Sequence, residues 1–382
     1  MKCYNKDDNY KQINKTNRTI YDFYCCIYRN NCNFCNSFLQ QPQFGQPPSA
    51  KLKKEFLKSK NYNGKTFQNK DGITVHANFF TIMKLLPQWL NGKVEKVPSN
   101  KIQVVKINKD EFINFSDSLI RITWFGHSTV IIEIDGKKIM IDTMLGKSPS
   151  PVSFFSKRFF DGLPLEIKDI PTLDAVIISH DHYDHLDYLT ILDIKDKVGH
   201  FYVPLGVGSH LVKWGVDESK ITELDWWDEV EYKNMKFVCT PAQHFSGRSL
   251  NDRNKTLWCS WVIVGKSGKL FFCGDSGYSE NFTKIGEKYG PFDFCMMECG
   301  QYNDLWKEIH ILPEEAVQAN IDLKGKVLMP IHWGAFSLSL HKWNEPVERL
   351  IKEAQIKNVI ITTPMVGESI IIDQKYPNSK WW

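Results

Sequence analysis

The chain has 382 residues, 42% of them apolar and 24% charged, with 12 Trp, 14 Tyr and 24 Phe, which excludes a disordered or fibrous protein and leaves room for one large domain or two ordinary ones. Its net charge of +4, from 48 Lys and Arg against 44 Asp and Glu, is too small for bulk electrostatic attraction to nucleic acid, so no nucleic-acid partner is expected. No apolar run reaches the length of about 18 residues that a membrane-spanning helix needs, and Met1 to Gln12 is too polar for a secretory signal, so neither is expected.

Residues 1–70 are rich in Asn, Lys, Gln and Tyr, hold no sustained period and contain the breaker run Gln46-Pro47-Pro48-Ser49. They are read as a polar, poorly ordered N-terminal extension. Five of the ten cysteines, Cys3, Cys25, Cys26, Cys32 and Cys35, fall at its start, while Cys239, Cys259, Cys273, Cys295 and Cys299 lie in strand-like apolar runs. An intracellular, reduced chain fits both groups. The Cys32-to-Cys35 spacing, with Cys25 and Cys26, admits a metal site or lipid anchors as well as a plain tail. Within the next segment, 71–114, residues 77–92 group Phe79, Phe80, Ile82, Met83, Leu85, Leu86, Trp89 and Leu90. Two readings stand, a helix buried against the main body or an apolar face that dips into a membrane surface.

From residue 119 the pattern turns to strands: Leu119 to Phe125, Thr129 to Ile134, Lys138 to Asp142 and Asp174 to Ser179. Asp135-Gly136 is a hairpin signal, since both central positions of a type I′ turn need positive φ. Further strands are predicted at Met235 to Thr240, Leu257 to Val264, Lys269 to Cys273, Phe294 to Met297, Val327 to Ile331 and Val359 to Thr363. Helices fall between them: one capped by Ser279 with Phe282, Ile285 and Tyr289 on one face, one opened by Pro313, and one from Asn344 burying Val347, Leu350, Ile351 and Ala354. Periodicity alone gives a mixed α and β chain.

The chemistry concentrates in Ser179-His180-Asp181-His182-Tyr183-Asp184-His185, directly after the predicted strand 174–179. Three imidazoles and a carboxylate at one strand end suit a pair of borderline divalent cations, because neutral imidazole and carboxylate oxygen are both good ligands for them. His244, Asp275 and His332 each follow another apolar strand and are candidates to complete the two coordination shells.

The stretch Ser179 to Asp187 resembles the signature of the metallo-β-lactamase superfamily. Trp124 to Thr129, Leu224 to Trp227, Thr240 to His244, Trp258 to Trp261, Gly274 to Tyr278 and Ile331 to Gly334 resemble, more narrowly, the N-acyl-phosphatidylethanolamine-hydrolysing phospholipase D family. The resemblance runs over about 118–369, with a weaker echo near 66–92, and implies an α+β fold, a four-layer αββα sandwich, for a catalytic domain at 115–382. Carried over residue by residue, it implies one Zn2+ on His180, His182 and His244, a second on Asp184, His185 and His332, and Asp275 bridging both.

Such a pair of ions ionises the water between them and clamps the oxygens of a phosphodiester, so no amino-acid nucleophile is needed. The same hydroxide attacks a lactone or lactam, so the metals fix hydrolysis and not the substrate. The resemblance implies a zinc-dependent phospholipase D that releases N-acylethanolamine and phosphatidic acid, with Asp184, Asp275 and His310 catalytic and His310 on the substrate phosphate. The alternatives are a soluble lactonase or small phosphodiesterase on the same fold, and a lipid-surface binding protein with structural zinc only. Lys157 and Arg158, among Phe154, Phe155 and Phe159, are read as contacts for an anionic phospholipid surface. Asp181 and Asp187 are read as orienting ligands or the loop. A cytoplasmic protein peripheral to a membrane is expected, and the family implies a homodimer.

Overall fold

Asp135 and Gly136 both take the positive φ that their turn requires, +50° and +70°, and join β2 (Val130–Ile134) to β3 (Lys137–Ile141) as an antiparallel hairpin. The computed structural model describes residues 37–73, 94–110, 115–152 and 156–382; the cysteine-rich start, the apolar segment 77–92 and Phe154 and Phe155 lie outside these residues. Residues 45–382 form one compact unit. In the other, residues 1–44, Pro42–Phe44 make a 3-10 turn, with the Phe38 ring edge-on to Phe44 at 5.2 Å.

The strands of the larger unit build two seven-stranded sheets. The first has the order β14-β1-β2-β3-β4-β5-β6 and takes, besides the hairpin, β1 (Arg121–Trp124), β4 (Leu173–Ile177), β5 (Val198–Pro204), β6 (Ile221–Leu224) and β14 (Ser369–Ile371). The second has the order β13-β12-β11-β10-β9-β8-β7, from β7 (Glu229–Tyr232), β8 (Met235–Thr240), β9 (Ser260–Val264), β10 (Lys269–Phe272), β11 (Phe294–Glu298), β12 (Val327–Ile331) and β13 (Ile360–Ile361).

Period-two alternation sends neighbouring side chains into different layers. Ile132, Ile139 and Ile177 enter the core between the sheets, where the Tyr202 ring meets Phe237 at 4.9 Å and Trp261 Nε1 donates to Ile178 O at 3.0 Å. Ile131, Met140 and Val176 point the other way, into a second cluster with Ile191 and Ile194 of α2 (Tyr188–Ile194) and Leu211 of α3 (Gly208–Lys213). On the far side of the second sheet, Phe271 meets the Phe282 ring of α4 (Asn281–Lys288) at 6.3 Å. Buried residues of α5 (Pro313–Asp322) and α6 (Glu345–Lys357) extend that layer. The four-layer αββα sandwich of the sequence reading is the observed architecture. Helix α4 starts after Glu280 and not after Ser279, a shift of one residue.

The N-terminal boundary needs correction. The sequence reading ran the extension to residue 70, yet the chain enters the compact unit at Gly45. Ser49 caps α1 (Ala50–Phe56), and the Phe56, Tyr62 and Phe67 rings pack together at centroid distances of 4.9–5.6 Å, with Phe56 and Phe67 buried in the main core. Three anchors at irregular spacing leave no period in a polar segment, so composition alone reads as a tail. Phe67→Ala is expected to destabilise the protein by about 3–5 kcal/mol, the usual cost of emptying a buried phenyl site. Urea unfolding measures this; an unchanged midpoint would show that the segment does not contribute to the folded unit.

Candidate metal centre

Strand direction decides where the polar residues gather. In the first sheet β2 runs against β1 and β3, and β3 and β4 are parallel; in the second β9 runs against β8 and β10, and β10, β11 and β12 are parallel. The C-terminal ends of β1, β3 and β4 therefore share one edge of their sheet, and those of β8, β10, β11 and β12 share one edge of theirs. Every predicted ligand follows one of these ends: His180, His182, Asp184 and His185 after β4, His244 after β8, Asp275 after β10 and His332 after β12. Gly274, in front of Asp275, has φ +61°, and a Cβ there would lie 2.9 Å from Cys259 O and from Ser179 Cβ, so the approach to Asp275 requires glycine. At the same rim His127, Asp142 and His332 are non-glycine residues at φ +54°, +47° and +66°, a strained backbone for each.

The seven predicted residues converge, in two groups that meet at Asp275. In the first, His182 Nδ1 lies 2.9 Å from His180 Nε2 and 3.2 Å from His244 Nε2, while Asp275 Oδ2 lies 3.8 Å and 3.7 Å from the same two nitrogens. In the second, Asp184 Oδ2 lies 3.2 Å from His332 Nε2 and 3.5 Å from His185 Nε2. Asp275 reaches this group as well, with Oδ2 3.2 Å from His332 Nε2 and Oδ1 3.1 Å from His185 Nε2. The potential ligand atoms of His180, His182, His244 and Asp275 all lie within 4.8 Å of one another, as do those of His127, Asp184, His185 and His332, and those of Asp275, Glu298, His310 and His332.

In three of the rings the far nitrogen is already committed, which fixes which one faces inward. His185 Nδ1 is held by Asp142 Oδ2 at 2.7 Å, His244 Nδ1 donates to Ile309 O at 2.9 Å, and His332 Nδ1 lies 3.1 Å from Glu298 Oε1. His185 Nε2 and Asp275 Oδ1, facing each other at 3.1 Å, are buried and neither makes a hydrogen bond. Orphaned buried polar atoms are costly in a folded protein. Nitrogen and oxygen donors converging in this way fit divalent cations.

Electrostatics separate the rings into two kinds. Burial presses His180 and His244 well below their ordinary value and brings His127 to about 3 and His182 to about 4. These rings are neutral and present lone pairs. Burial opposes charge on Asp184 and Asp275 too, but the His185 imidazole beside both, with His332 beside Asp275, outweighs it and holds them well below the carboxylate range. In turn Asp275, Asp184 and Asp142 overcome the burial of His185 and raise it well above its ordinary value, and Asp275, Asp184 and Glu298 raise His332 to about 10.

Sequence reasoning missed His127 and Glu298 as parts of the site. His127 Nε2 lies 2.9 Å from Asp184 Oδ2, and Glu298, fully buried, bonds through Oε1 to His310 Nδ1 and accepts from Ser276 N at 2.7 Å through Oε2. A carboxylate closing the otherwise apolar strand Phe294–Glu298 was the available signal. His310 lies at the site, its ring parallel to His332 at 5.4 Å and 4.9 Å from His244. The start of α5 is taken by its own Glu315, which accepts from Leu312 N at 3.0 Å.

Lys157 and Arg158 part company. Lys157 is exposed, but Arg158 is 7% exposed, donates to Met144 O at 3.2 Å and to Gly146 O, and lies over the Phe160 and Phe336 rings. Its expected place on a lipid-facing surface is overturned: the guanidinium is buried, held by main-chain carbonyls and the two phenyl rings. Asp181 and Asp187 bond to the loop scaffold, Asp181 to Gly247 N at 2.8 Å and Thr256 Oγ1 at 2.7 Å, and Asp187 to Thr190 N at 2.9 Å as the cap of α2.

Residues 137–333 match the Beta-lactamase superfamily domain. An uncharacterized protein of Mycobacterium tuberculosis is 42% identical over 269 residues, 69% of this chain and 72% of its own. N-acyl-phosphatidylethanolamine-hydrolyzing phospholipase D 1 of Caenorhabditis elegans is 33% identical over 335 residues, 80% of this chain and 92% of its own. Among solved structures, the metallo hydrolase Igni18 of Ignicoccus hospitalis shares the fold at 21% identity and a TM-score of 0.51, over 67% of this chain and 100% of its own.

Proposed function

Because the chain belongs to the metallo-β-lactamase superfamily, and within it is like the N-acyl-phosphatidylethanolamine-hydrolysing phospholipases D, we propose that this metal-dependent hydrolase is a zinc phosphodiesterase that cleaves N-acyl-phosphatidylethanolamine into N-acylethanolamine and phosphatidic acid. The likeness to the worm enzyme along nearly its whole length carries the choice of substrate; the two donor groups, with Asp275 near both, carry the choice of chemistry.

His180, His182 and His244 would hold one Zn2+, Asp184, His185 and His332 the other, and Asp275 both. Two such ions, when bound, supply Lewis-acid neutralisation of a phosphodiester and a solvent nucleophile ionised near neutral pH. The chain's own residues do the rest. Asp142 Oδ2 and Ile309 O engage the outward nitrogens of His185 and His244, which turns Nε2 of each toward the centre. Glu298 fixes the His310 ring through Nδ1, leaving Nε2 to meet a phosphate oxygen of the substrate. Lys157 is retained as a contact for the lipid surface. This reading carries with it a cytoplasmic protein peripheral to a membrane; no helix among the described residues is long and apolar enough to cross one.

Purified protein offered N-acyl-phosphatidylethanolamine, phosphatidylcholine and a simple lactone is expected to release N-acylethanolamine from the first in preference to turnover of the others. Fast lactone turnover without N-acylethanolamine release would replace this reading with that of a lactonase. His310→Ala is expected to slow phosphodiester turnover on the order of 100-fold while bound zinc is unchanged. Kinetics equal to wild type would remove His310 from the mechanism.

A further inference from the structure

The segment from Gly45 to Ile73 does more than pack. Phe67 N donates to Asn254 O at 2.8 Å, and the Phe56, Tyr62 and Phe67 rings seat the segment in the core. Two residues on, Asn69 is buried at 8% exposure, with all four hydrogen-bonding positions of its amide filled. Its Oδ1 accepts from His244 N at 3.1 Å and from Trp258 Nε1 at 3.1 Å; its Nδ2 donates to His244 O at 2.8 Å and to Ile73 O at 2.9 Å.

One side chain thus grips both main-chain groups of His244, in the manner of a neighbouring strand. His244 stands in a loop after β8, where no ladder partner fixes it. The grip on its backbone and the Ile309 carbonyl on its Nδ1 together leave the ring one placement, with Nε2 at the first donor group. Trp258 Nε1, shared between Asn69 Oδ1 and Ala242 O at 3.0 Å, ties the same amide to the strand-end loop that carries His244. Only an asparagine amide meets these demands. Aspartate has no donor for His244 O, and alanine leaves a buried N–H and C=O unmet.

We propose that Asn69 is a positioning residue for the metal centre: it clamps His244 and sets the zinc affinity of the group formed by His180, His182 and His244. This rests on the metal-centre reading given above. It assigns part of the site to a segment outside the matched superfamily domain, which starts at residue 137.

The test titrates the full chain with Zn2+ against a chromophoric chelator, for wild type, Asn69→Ala, Asn69→Asp, His244→Ala and Phe56→Ala. Wild type is expected to bind two equivalents. Asn69→Ala and Asn69→Asp should each weaken one equivalent by roughly 10–100-fold, the range seen when support for a ligand is removed, and leave the other as in wild type. The weakened equivalent should be the one that His244→Ala loses, and adding Asn69→Ala to His244→Ala should weaken it little further. Phe56→Ala, in the same segment, should lower the melting temperature and keep both equivalents. Wild-type affinity for both ions in folded Asn69→Ala and Asn69→Asp overturns the proposal. So does loss of the same equivalent in Phe56→Ala, which would make the effect one of general loosening. A wild-type chain that takes up no zinc overturns the metal-centre reading itself, and the clamp with it.

Discussion

Asp275→Asn is expected to lower phosphodiester turnover by about a thousandfold or more, equivalent to about 4 kcal/mol of transition-state stabilisation, and to reduce bound metal from two ions per chain to one or none. The reason is geometric. Among the described residues Asp275 is the carboxylate that reaches both groups, through Oδ2 to His332, His244 and His180 and through Oδ1 to His185. The amide has almost the same shape, so packing is kept while a negative charge and one oxygen acceptor are lost. Buried among the imidazoles of His185 and His332, the Asp275 carboxylate is ionised far below neutral pH, and that charge is what a cation pair needs. Elemental analysis and steady-state kinetics on the same preparation check this. Full metal content with turnover within tenfold of wild type would exclude Asp275 from the shared position.

Removal of metal is expected to have an effect at least as large. A chelator should abolish turnover, and added Zn2+ should restore it. Stability should fall as well, because a ligand bound only by the folded state contributes about 4 kcal/mol when present at a thousand times its dissociation constant. The melting temperature of the stripped protein should therefore drop by several degrees. The donors that lose their partners are buried: His180, His185, His244, His332 and Asp275 each expose 3% or less. Undiminished turnover after exhaustive chelation, verified by elemental analysis, would contradict a metal-dependent reaction.

Much of this site was legible because its pieces lie at the ends of strands with strong apolar runs. Val176, Ile177 and Ile178 announce β4, and three histidines crowd the loop that follows. His244, Asp275 and His332 stand just past similar runs, and parallel strand direction brings them to one edge. What the sequence hid has physical causes. β7 (Glu229–Tyr232) and β14 (Ser369–Ile371) are short and only partly buried, so neither carries a clear apolar signal. Glycine and proline interrupt or end β5 (Val198–Pro204), masking its apolar stretch Phe201 to Val203.

Sequence adjacency does not give spatial placement, and a missing period does not make a tail. Arg158 was paired with Lys157 on a presumed lipid surface, yet its guanidinium turns inward to the Met144 and Gly146 carbonyls. Residues 45–70 were assigned to a tail for want of a period, yet Phe56 and Phe67 are core residues and Asn69 grips a site loop 175 positions away. Contacts of that separation leave no local pattern. Glu298 and His127 are intermediate cases: each stands at or just past a strand end, but a single carboxylate or a single histidine there is not distinctive without the fold around it.

The central expectation is a pair of cations side by side, one against each donor group, with Asp275 near both. The direct measurement is anomalous diffraction at the zinc edge from crystals of protein purified without chelator. Two peaks are predicted, one among His180, His182 and His244 and one among Asp184, His185 and His332, with the Asp275 carboxylate between them. A map of active protein with a single peak, or with none at this rim, would contradict it.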